Sequence, residues 1–217
     1  MPLYKTIDCN EDTQLLIWKI TESLDELVSE VKMKPKTQLR FDNMKSTLHK
    51  RAFLTVRMLL KEIGLTDVDL HYDSSGKPYL DNGKHISITH SHQFSAIIIS
   101  DHYIGIDIEM QREKIQRIAD KFVTKEFEYL DPKNEREYIK KLTVIWGAKE
   151  AIFKIRNEKG ISFKDHIEVD SFQLNENSTD AVLNFNNLSI KYHIDFSEIE
   201  DCTLVYAYPH FKSDLIL

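Results

Sequence analysis

The sequence is poor in residues that cross-link, break or anchor a chain. Cysteine occurs only as Cys9 and Cys202, in no metal or redox spacing, so we expect a reducing compartment. Six glycines and five prolines leave no stretch that reads as a flexible linker. The longest aliphatic run, residues 96–99, is far shorter than the ~20 residues of a membrane-spanning helix. The first residues also lack the pattern of an export signal, and we expect a cytoplasmic protein.

An excess of positive charge is missing as well. The chain has 29 Lys and Arg against 35 Asp and Glu, which leaves a net charge of −6. Such a chain is a poor general binder of nucleic acid, although local basic patches remain open. A hydrophobic content of 41 % excludes a disordered class, and 217 residues allow one large domain or two small ones.

Apolar periodicity predicts helices and strands in both halves of the chain. In the first half we expect a strand at 14–20, a short helix from about 21, a longer helix at 43–63, a turn at 74–78, and strands at 85–89, 95–100 and 104–109 with hairpin-length connections. In the second half we expect helices at 113–121, 124–130 and 134–156, then strands near 167–174, 181–185, 188–194 and 202–208. Without strict βαβ alternation, this order predicts the α+β class.

The first segment with possible chemistry is the strand at 103–109. Alternation along a strand puts Asp107 and Glu109 on one face beside Gly105, opposite three isoleucines. Two carboxylates on one face can share a cation, and Mg²⁺ is commonly held by one or two carboxylates plus substrate phosphates. The alternative is an amphipathic strand with a solvated acidic face.

The second segment is the helix around 146–154. Trp146, Glu150 and Lys154 recur every four residues and lie close to one face, which could hold an acid and a base beside a binding wall. The alternative is a surface Glu–Lys pair next to a core tryptophan.

Two further segments are polar or basic. His90 and His92 cluster at a strand end, where imidazoles and hydroxyls can donate to phosphate; a polar hairpin is the alternative. A basic stripe could dock an acidic partner or could simply be a solvated helix face. It comprises Arg112, Lys114, Arg117, Lys121 and Lys125.

Taken together and in this order, five motifs resemble the surfactin-type 4′-phosphopantetheinyl transferases. They are GKPYL at 76–80, ITHS at 88–91, IGIDIE at 104–109, KFVTKEF at 121–127 and WGAKEAIFK at 146–154. The combination of IGIDIE with the helix motif some 40 residues later is quite specific, whereas either motif alone is not. The chain departs from the family at Ile86-Ser87, where a Phe-Asn pair is common, and at His92, where a small residue is usual.

The resemblance implies two similar α+β halves related by a pseudo-twofold axis, residues 1–103 on the nucleotide side and 104–217 with the metal and catalytic groups. The family transfers 4′-phosphopantetheine from coenzyme A to a serine of an acyl or peptidyl carrier protein. The reaction needs Mg²⁺ and releases adenosine 3′,5′-bisphosphate. The substrate is expected in a cleft between the halves, which is compatible with the monomer that we expect.

The resemblance also implies residue roles. Asp107, Glu109 and Glu150 are expected to bind Mg²⁺, with Glu150 also the base for the incoming serine and Lys154 the group that neutralises or protonates the leaving phosphate. Further coenzyme A contacts are expected from Thr89, His90, Lys77, Lys50, Arg51 and Lys149. Two alternatives remain open: a non-catalytic coenzyme A or nucleotide-binding module, and a Mg²⁺-dependent phosphohydrolase.

Overall fold

A computed structural model describes residues 3–210 of the chain. The chain divides into two compact units, Met1–Asp101 and His102–Leu217. Each unit combines helices with a sheet, and all strand pairs among the described residues are antiparallel. The predicted α+β class is confirmed. None of the helices within residues 3–210 is long and apolar enough to cross a membrane.

The first unit is built on a four-stranded sheet. Its elements are β1 (Leu3–Asn10), β2 (Thr13–Lys19), α1 (Leu24–Glu30), α2 (Pro35–Asp42), α3 (Thr47–Glu62), β3 (Leu70–Tyr72), β4 (Pro78–Leu80), β5 (His85–Ser91) and β6 (Phe94–Ser100). The sheet order is β1-β2-β6-β5, and β3 pairs separately with β4. The apolar stripe of α3, which includes Ala52, Val56 and Leu59, packs with Ile97 and Ile99 of the central strand β6.

Most of the predicted elements of the first unit are present, with shifted ends. The long helix begins at Thr47 rather than near 43, because the Ser46 hydroxyl caps it by accepting a hydrogen bond from the His49 N–H at 3.3 Å. The β5–β6 hairpin turns at His92 with φ of +50°, in the left-handed region that favours glycine. β1, α2, β3 and β4 were not predicted.

The second unit is built on a five-stranded sheet covered by one long helix. Its elements are β7 (Gly105–Met110), 3₁₀ segments at Glu113–Lys121 and Lys125–Tyr129, α4 (Glu135–Arg156), α5 (Phe163–His166), β8 (Ile167–Val169), a 3₁₀ turn at Leu174–Glu176, β9 (Ser178–Phe185), β10 (Leu188–Ile199) and β11 (Cys202–Pro209). The sheet order is β7-β11-β10-β9-β8. Core residues of α4, such as Ala148 and Ile152, pack with Val205, Ala207 and Ile194 of the sheet.

The expected hairpin between the strands at 95–100 and 104–109 is wrong. β6 pairs with β2 and β5 in the first unit, whereas β7 pairs with β11 in the second, with Asp107 opposite Val205. A connection of hairpin length therefore joins two different sheets. Local spacing cannot distinguish the two cases, because the partner of β7 lies almost 100 residues later in the chain.

β7 and α4 approach each other closely at Gly105. A Cβ atom added there would lie 2.0 Å from the carbonyl oxygen of Ala151 and 3.1 Å from Cγ1 of Ile155. Backbone atoms cannot rotate away as a side chain can, so only glycine permits this separation. Gly105 therefore sets the distance between the strand and the helix that carry the expected metal ligands.

Gly105→Ala should push β7 away from α4. We expect a loss of about 1–3 kcal/mol in the free energy of unfolding, the usual range for an overpacked core. The measurement is denaturant unfolding of the purified protein. Gly147→Ala is the comparison, because a Cβ there would meet the Val205 side chain, Cγ2 at 2.7 Å and Cβ at 3.1 Å, rather than backbone at 2.0 Å. A larger loss for Gly147→Ala than for Gly105→Ala would contradict the interpretation.

Candidate active site

The acidic residues of β7 face the long helix. Gly105 and Asp107 are on the same face by alternation, and Gly105 contacts Ala151 of α4. A Cβ at Gly147 would lie 3.8 Å from Oδ2 of Asp107, which puts this carboxylate against the same helix. Asp107 is only 5 % exposed and Glu109 is half-buried. The alternative of a solvated acidic face is therefore wrong for Asp107.

Lys154 reaches from α4 across to β7. Its ammonium donates to Oδ1 of Asp107 and to the carbonyl oxygen of Ile106, both at 2.8 Å. The sequence also allowed a surface pair between Lys154 and Glu150, four residues earlier. The ammonium of Lys154 contacts Asp107 instead. A half-buried lysine thus offsets one negative charge of the carboxylate group.

Glu150 lies on the same side of α4, close to the carboxylates of β7. Burial raises the pKa of Glu150 to about 7, and the charge of Asp107 adds to this rise. Lys154 opposes the rise, while Glu109 contributes further to it. All four groups therefore interact electrostatically, and three carboxylates with one ammonium leave the cluster negative when Glu150 is ionised.

This donor set suits a hard divalent cation. Three carboxylates provide oxygen ligands only, which Mg²⁺ prefers, and a cation would relieve the repulsion that raises the pKa of Glu150. The chemistry of these three carboxylates is therefore compatible with the predicted magnesium site. Asp107, Glu109 and Glu150 are the groups that would hold the ion.

Trp146 belongs to the core rather than to a binding wall. Its ring packs edge-on against Phe122 and Phe163, with centroids 5.1 Å and 5.5 Å apart. These ring contacts favour the interpretation of Trp146 as a core residue. Residues four apart on a helix are offset by about 40°, so Trp146 and Lys154 do not point in the same direction.

Comparison with known proteins shows a similarity that includes these residues. Residues 103–207 match the profile of the 4′-phosphopantetheinyl transferase superfamily. The chain is also 32 % identical over 109 residues to a 4′-phosphopantetheinyl transferase, gsp, of Aneurinibacillus migulanus. That alignment covers 50 % of this chain and 44 % of the relative, so the chain matches less than half of the relative's length.

Over residues 103–207 the chain is similar to this superfamily. The predicted resemblance is thereby confirmed, and the profile match includes both the carboxylates of β7 and the helix motif at 146–154. Residues before 103 lie outside the profile match, so the expected contacts of the first unit have no support from it.

Two of the phosphate-contact residues expected of a superfamily member lie at the end of β5. Thr89 is 5 % exposed, whereas His90 is exposed. The rings of His90 and His49 are 5.9 Å apart, so the first turn of α3 lies beside this strand end. His49 was not predicted to lie here, because only the fold brings the start of the helix to the strand.

The expected nucleotide contacts lie on α3 and on the turn before β4. Lys50 holds its ammonium 4.8 Å from the centroid of the Phe41 ring, and Arg51 donates to the carbonyl oxygen of Ile20 at 3.1 Å. The backbone N–H of Lys77 donates to Oδ1 of Asp73 at 2.9 Å, which fixes the turn. These basic groups thus also stabilise their own unit.

The expectation that Lys149 contacts coenzyme A is wrong. Lys149 is 0 % exposed, and its ammonium contacts Oε1 of Glu126 at 2.5 Å and the carbonyl oxygens of Phe122 at 2.6 Å and Phe163 at 3.1 Å. Burial lowers the pKa of Lys149, and the charge of Glu126 opposes this shift. Three acceptors use the three donors of the ammonium, so none is left for a ligand.

The basic stripe also differs from its expected geometry. Arg117 and Lys121 are exposed, but they lie on a 3₁₀ segment rather than an α-helix. With three residues per turn, side chains three apart are aligned and those four apart are not. Lys114 and Arg117 therefore share a face, while Lys125 pairs with Glu168 at 2.6 Å.

Lys149→Met should destabilise the fold strongly, because it leaves the buried carboxylate of Glu126 without its counterion. We expect a loss of about 3–5 kcal/mol in the free energy of unfolding, measured by denaturant titration. The double variant Lys149→Met with Glu126→Gln should recover part of this loss, since the glutamine is neutral. Additive losses in the double variant would show that the two charges do not interact.

Glu150 should make the metal-free protein less stable as the pH rises. Its pKa is about 7 in the folded state and 4.5 in the reference state, so its contribution is fully favourable below pH 4.5. Stability is then lost as the pH approaches 7 and stays lower above it. Glu150→Gln should flatten this profile and stabilise the protein at pH 8 by about 1–2 kcal/mol, allowing for solvent screening.

Thermal unfolding of both proteins between pH 4 and pH 8 in the presence of a chelator measures this difference. Asp120→Asn, at an exposed carboxylate of the same unit, serves as the control and should keep the wild-type profile. Parallel profiles for wild type and Glu150→Gln would contradict the burial of a crowded carboxylate.

Proposed function

We propose that this protein transfers 4′-phosphopantetheine from coenzyme A to a serine of an acyl or peptidyl carrier protein in a Mg²⁺-dependent reaction. The observation that carries the proposal is the cluster of Asp107, Glu109, Glu150 and Lys154 within the residues that match the superfamily. The relative from A. migulanus is named for the same transferase activity, and its alignment covers half of this chain.

The reaction requires little covalent help from the protein. The serine hydroxyl oxygen forms a bond to the phosphorus that carries phosphopantetheine, and the bond from that phosphorus to the bridging oxygen of the pyrophosphate breaks. Adenosine 3′,5′-bisphosphate leaves with that oxygen, and the serine proton goes to a base. Positioning and charge neutralisation carry most of the catalysis in such a transfer.

Mg²⁺ bound by the carboxylates would supply Lewis-acid polarisation of the phosphate oxygens. Glu150, at the side of α4 that faces β7, is the group to accept the serine proton. The ammonium of Lys154 would stabilise the charge that develops on the leaving phosphate, and it lies beside Asp107 already. Serine is a weak nucleophile, so a base within hydrogen-bond reach is needed.

The first unit would contribute contacts to the nucleotide and phosphates. Thr89 and His90 at the end of β5 are the candidates for phosphate, and the nearby ring of His49 joins them. Lys77, Lys50 and Arg51 are the candidates for the nucleotide end of coenzyme A, because phosphate groups attract basic side chains. The pseudo-twofold relation of the two halves and the monomeric state also belong to this proposal.

Two other functions make different products. A non-catalytic binding module would take up coenzyme A and release nothing. A Mg²⁺-dependent phosphohydrolase would use water in place of serine, and would release phosphopantetheine without any carrier protein. Mass spectrometry of a carrier protein and of the small molecules therefore separates all three.

Incubation with coenzyme A, Mg²⁺ and a panel of apo carrier proteins tests the proposal. We expect one carrier serine to gain phosphopantetheine, with an equal amount of adenosine 3′,5′-bisphosphate released and no reaction in excess chelator. Asp107→Asn should lower the rate by about 10²-fold or more, since it removes a charged metal ligand and the partner of Lys154.

Asp120→Asn is again the matched control and should keep the full rate. Coenzyme A cleavage in the absence of any carrier would favour the hydrolase instead. Full transfer by Asp107→Asn with Mg²⁺ present would contradict the role of the cluster, even if the activity itself were correct.

A further inference from the structure

A second group of metal-ligating side chains lies on the sheet of the second unit, apart from the carboxylates of β7. It consists of Asp180 on β9, His193 on β10 and His210 just after β11. One ligand atom from each residue lies within 4.8 Å of the others. We call these three residues the His–Asp cluster, and nothing in the proposed transfer reaction uses them.

Strand register brings the three residues together. Asp180 is directly opposite His193 in the pairing of β9 with β10, and His193 is opposite Tyr208 in the pairing of β10 with β11. His210 is two residues beyond Tyr208, and its backbone N–H donates to the carbonyl oxygen of Lys191 at 3.0 Å. Backbone hydrogen bonds on three adjacent chain segments therefore hold the cluster in place.

The cluster occupies the face of the sheet opposite α4. Tyr192 and Ile194 on either side of His193 are fully buried in the core that includes α4, so alternation turns His193 to the other face. The catalytic carboxylate Asp107 instead lies against α4. The two groups thus lie on opposite faces of one sheet and cannot share an ion.

Both imidazoles point to the same carboxylate oxygen. Nδ1 of His193 and Nε2 of His210 each lie 3.0 Å from Oδ1 of Asp180. Tetrahedral zinc with bonds of 2.0–2.1 Å separates its ligand atoms by about 3.3 Å, so a small outward movement would admit the ion. The side chains of His193, His210 and Asp180 are 29 %, 32 % and 42 % exposed, which gives an ion and a water ligand access from solvent.

The surroundings favour a cation, and a carboxylate lies on the far side of the His193 ring. Oδ1 of Asp195 lies 3.6 Å from Nε2 of His193, the ring nitrogen that does not face Asp180. This separation is longer than a hydrogen bond, so in the metal-free protein Asp195 contributes only its negative charge. A histidine that binds zinc usually donates its second N–H to a carboxylate in this position, and a small movement would form that bond. Asp170 adds negative charge nearby: its pKa is raised first by burial and then by the charge of Asp180, with Lys191 opposing.

We infer that Asp180, His193 and His210 form a zinc site with two imidazole ligands, one carboxylate ligand and an open position for water. Two histidines and a carboxylate are a ligand set that suits Zn²⁺, and such a three-residue set leaves a fourth position free. Bound there, the ion would cross-link β9, β10 and the segment after β11. Its role would be to stabilise the pairing of these three interior strands, independently of phosphopantetheine transfer.

Isothermal titration calorimetry of the full chain with ZnCl₂ tests this inference. The protein carries no polyhistidine tag, has been freed of metal by a chelator, and is kept in excess Mg²⁺ to occupy the carboxylates of β7 and α4. We expect one zinc ion per chain in wild type and an increase in melting temperature on its addition. Asp195→Asn should weaken binding by about 10- to 100-fold, as loss of a supporting partner does.

His193→Ala and His210→Ala should each weaken binding further than Asp195→Asn does, and should lose the zinc-dependent rise in melting temperature. Asp180→Asn keeps the shape of the side chain and serves as a third variant if an alanine variant does not fold, as judged by circular dichroism. His71→Ala is the matched control, because His71 forms a His–Asp pair with Asp81 at 2.7 Å that no third ligand joins within residues 3–210.

Three outcomes would overturn the inference. They are no zinc binding by the wild type, unchanged binding by a folded Asp180→Asn variant, and an equal loss of binding in His71→Ala. In the first case the cluster is only a hydrogen-bonded contact between strands. None of these results bears on the transfer assay, so failure here is distinguishable from failure of the proposed function.

Discussion

The buried ion pair between Lys149 and Glu126 is the interaction on which the second unit depends. Glu126 also accepts hydrogen bonds from the backbone N–H groups of Thr124 at 2.9 Å and Val169 at 3.2 Å, so one carboxylate joins a 3₁₀ segment, β8 and α4. Charges taken out of water need this degree of compensation. Because successive residues are about 100° apart around a helix, anchoring Lys149 in the core also fixes the direction of its neighbour Glu150.

The candidate site was accessible from the sequence where local periodicity governs it. Alternation placed Asp107 on a shared face with Glu109, and helical spacing related Glu150 to Lys154, because both patterns follow from backbone geometry alone. Lys149 was misread, since its burial depends on a carboxylate 23 residues earlier in the chain. The cluster that includes His193 was also missed, because strand register between distant segments is not a local property.

The fold, too, was predictable where a local pattern governs it and not where segments distant in the chain meet. The apolar stripe of α3 predicted its helix, because the stripe reflects burial on one side. β6 is buried along its whole length, and its short apolar run predicted a strand. β1 has few buried residues as an edge strand, and therefore carries a weak pattern. The pairing of β7 with β11 rather than β6 depends on which sheet each strand completes, and short connections are alike in both cases.

The contact between Lys154 and Asp107 has a consequence for the order in which the proposed site fills. In the metal-free protein the ammonium already serves as a counterion for this carboxylate, so an incoming cation competes with it. An anionic substrate would draw the ammonium away and leave the carboxylate to the ion. Metal and substrate occupancy are then thermodynamically linked, and each raises the affinity of the protein for the other by the same factor.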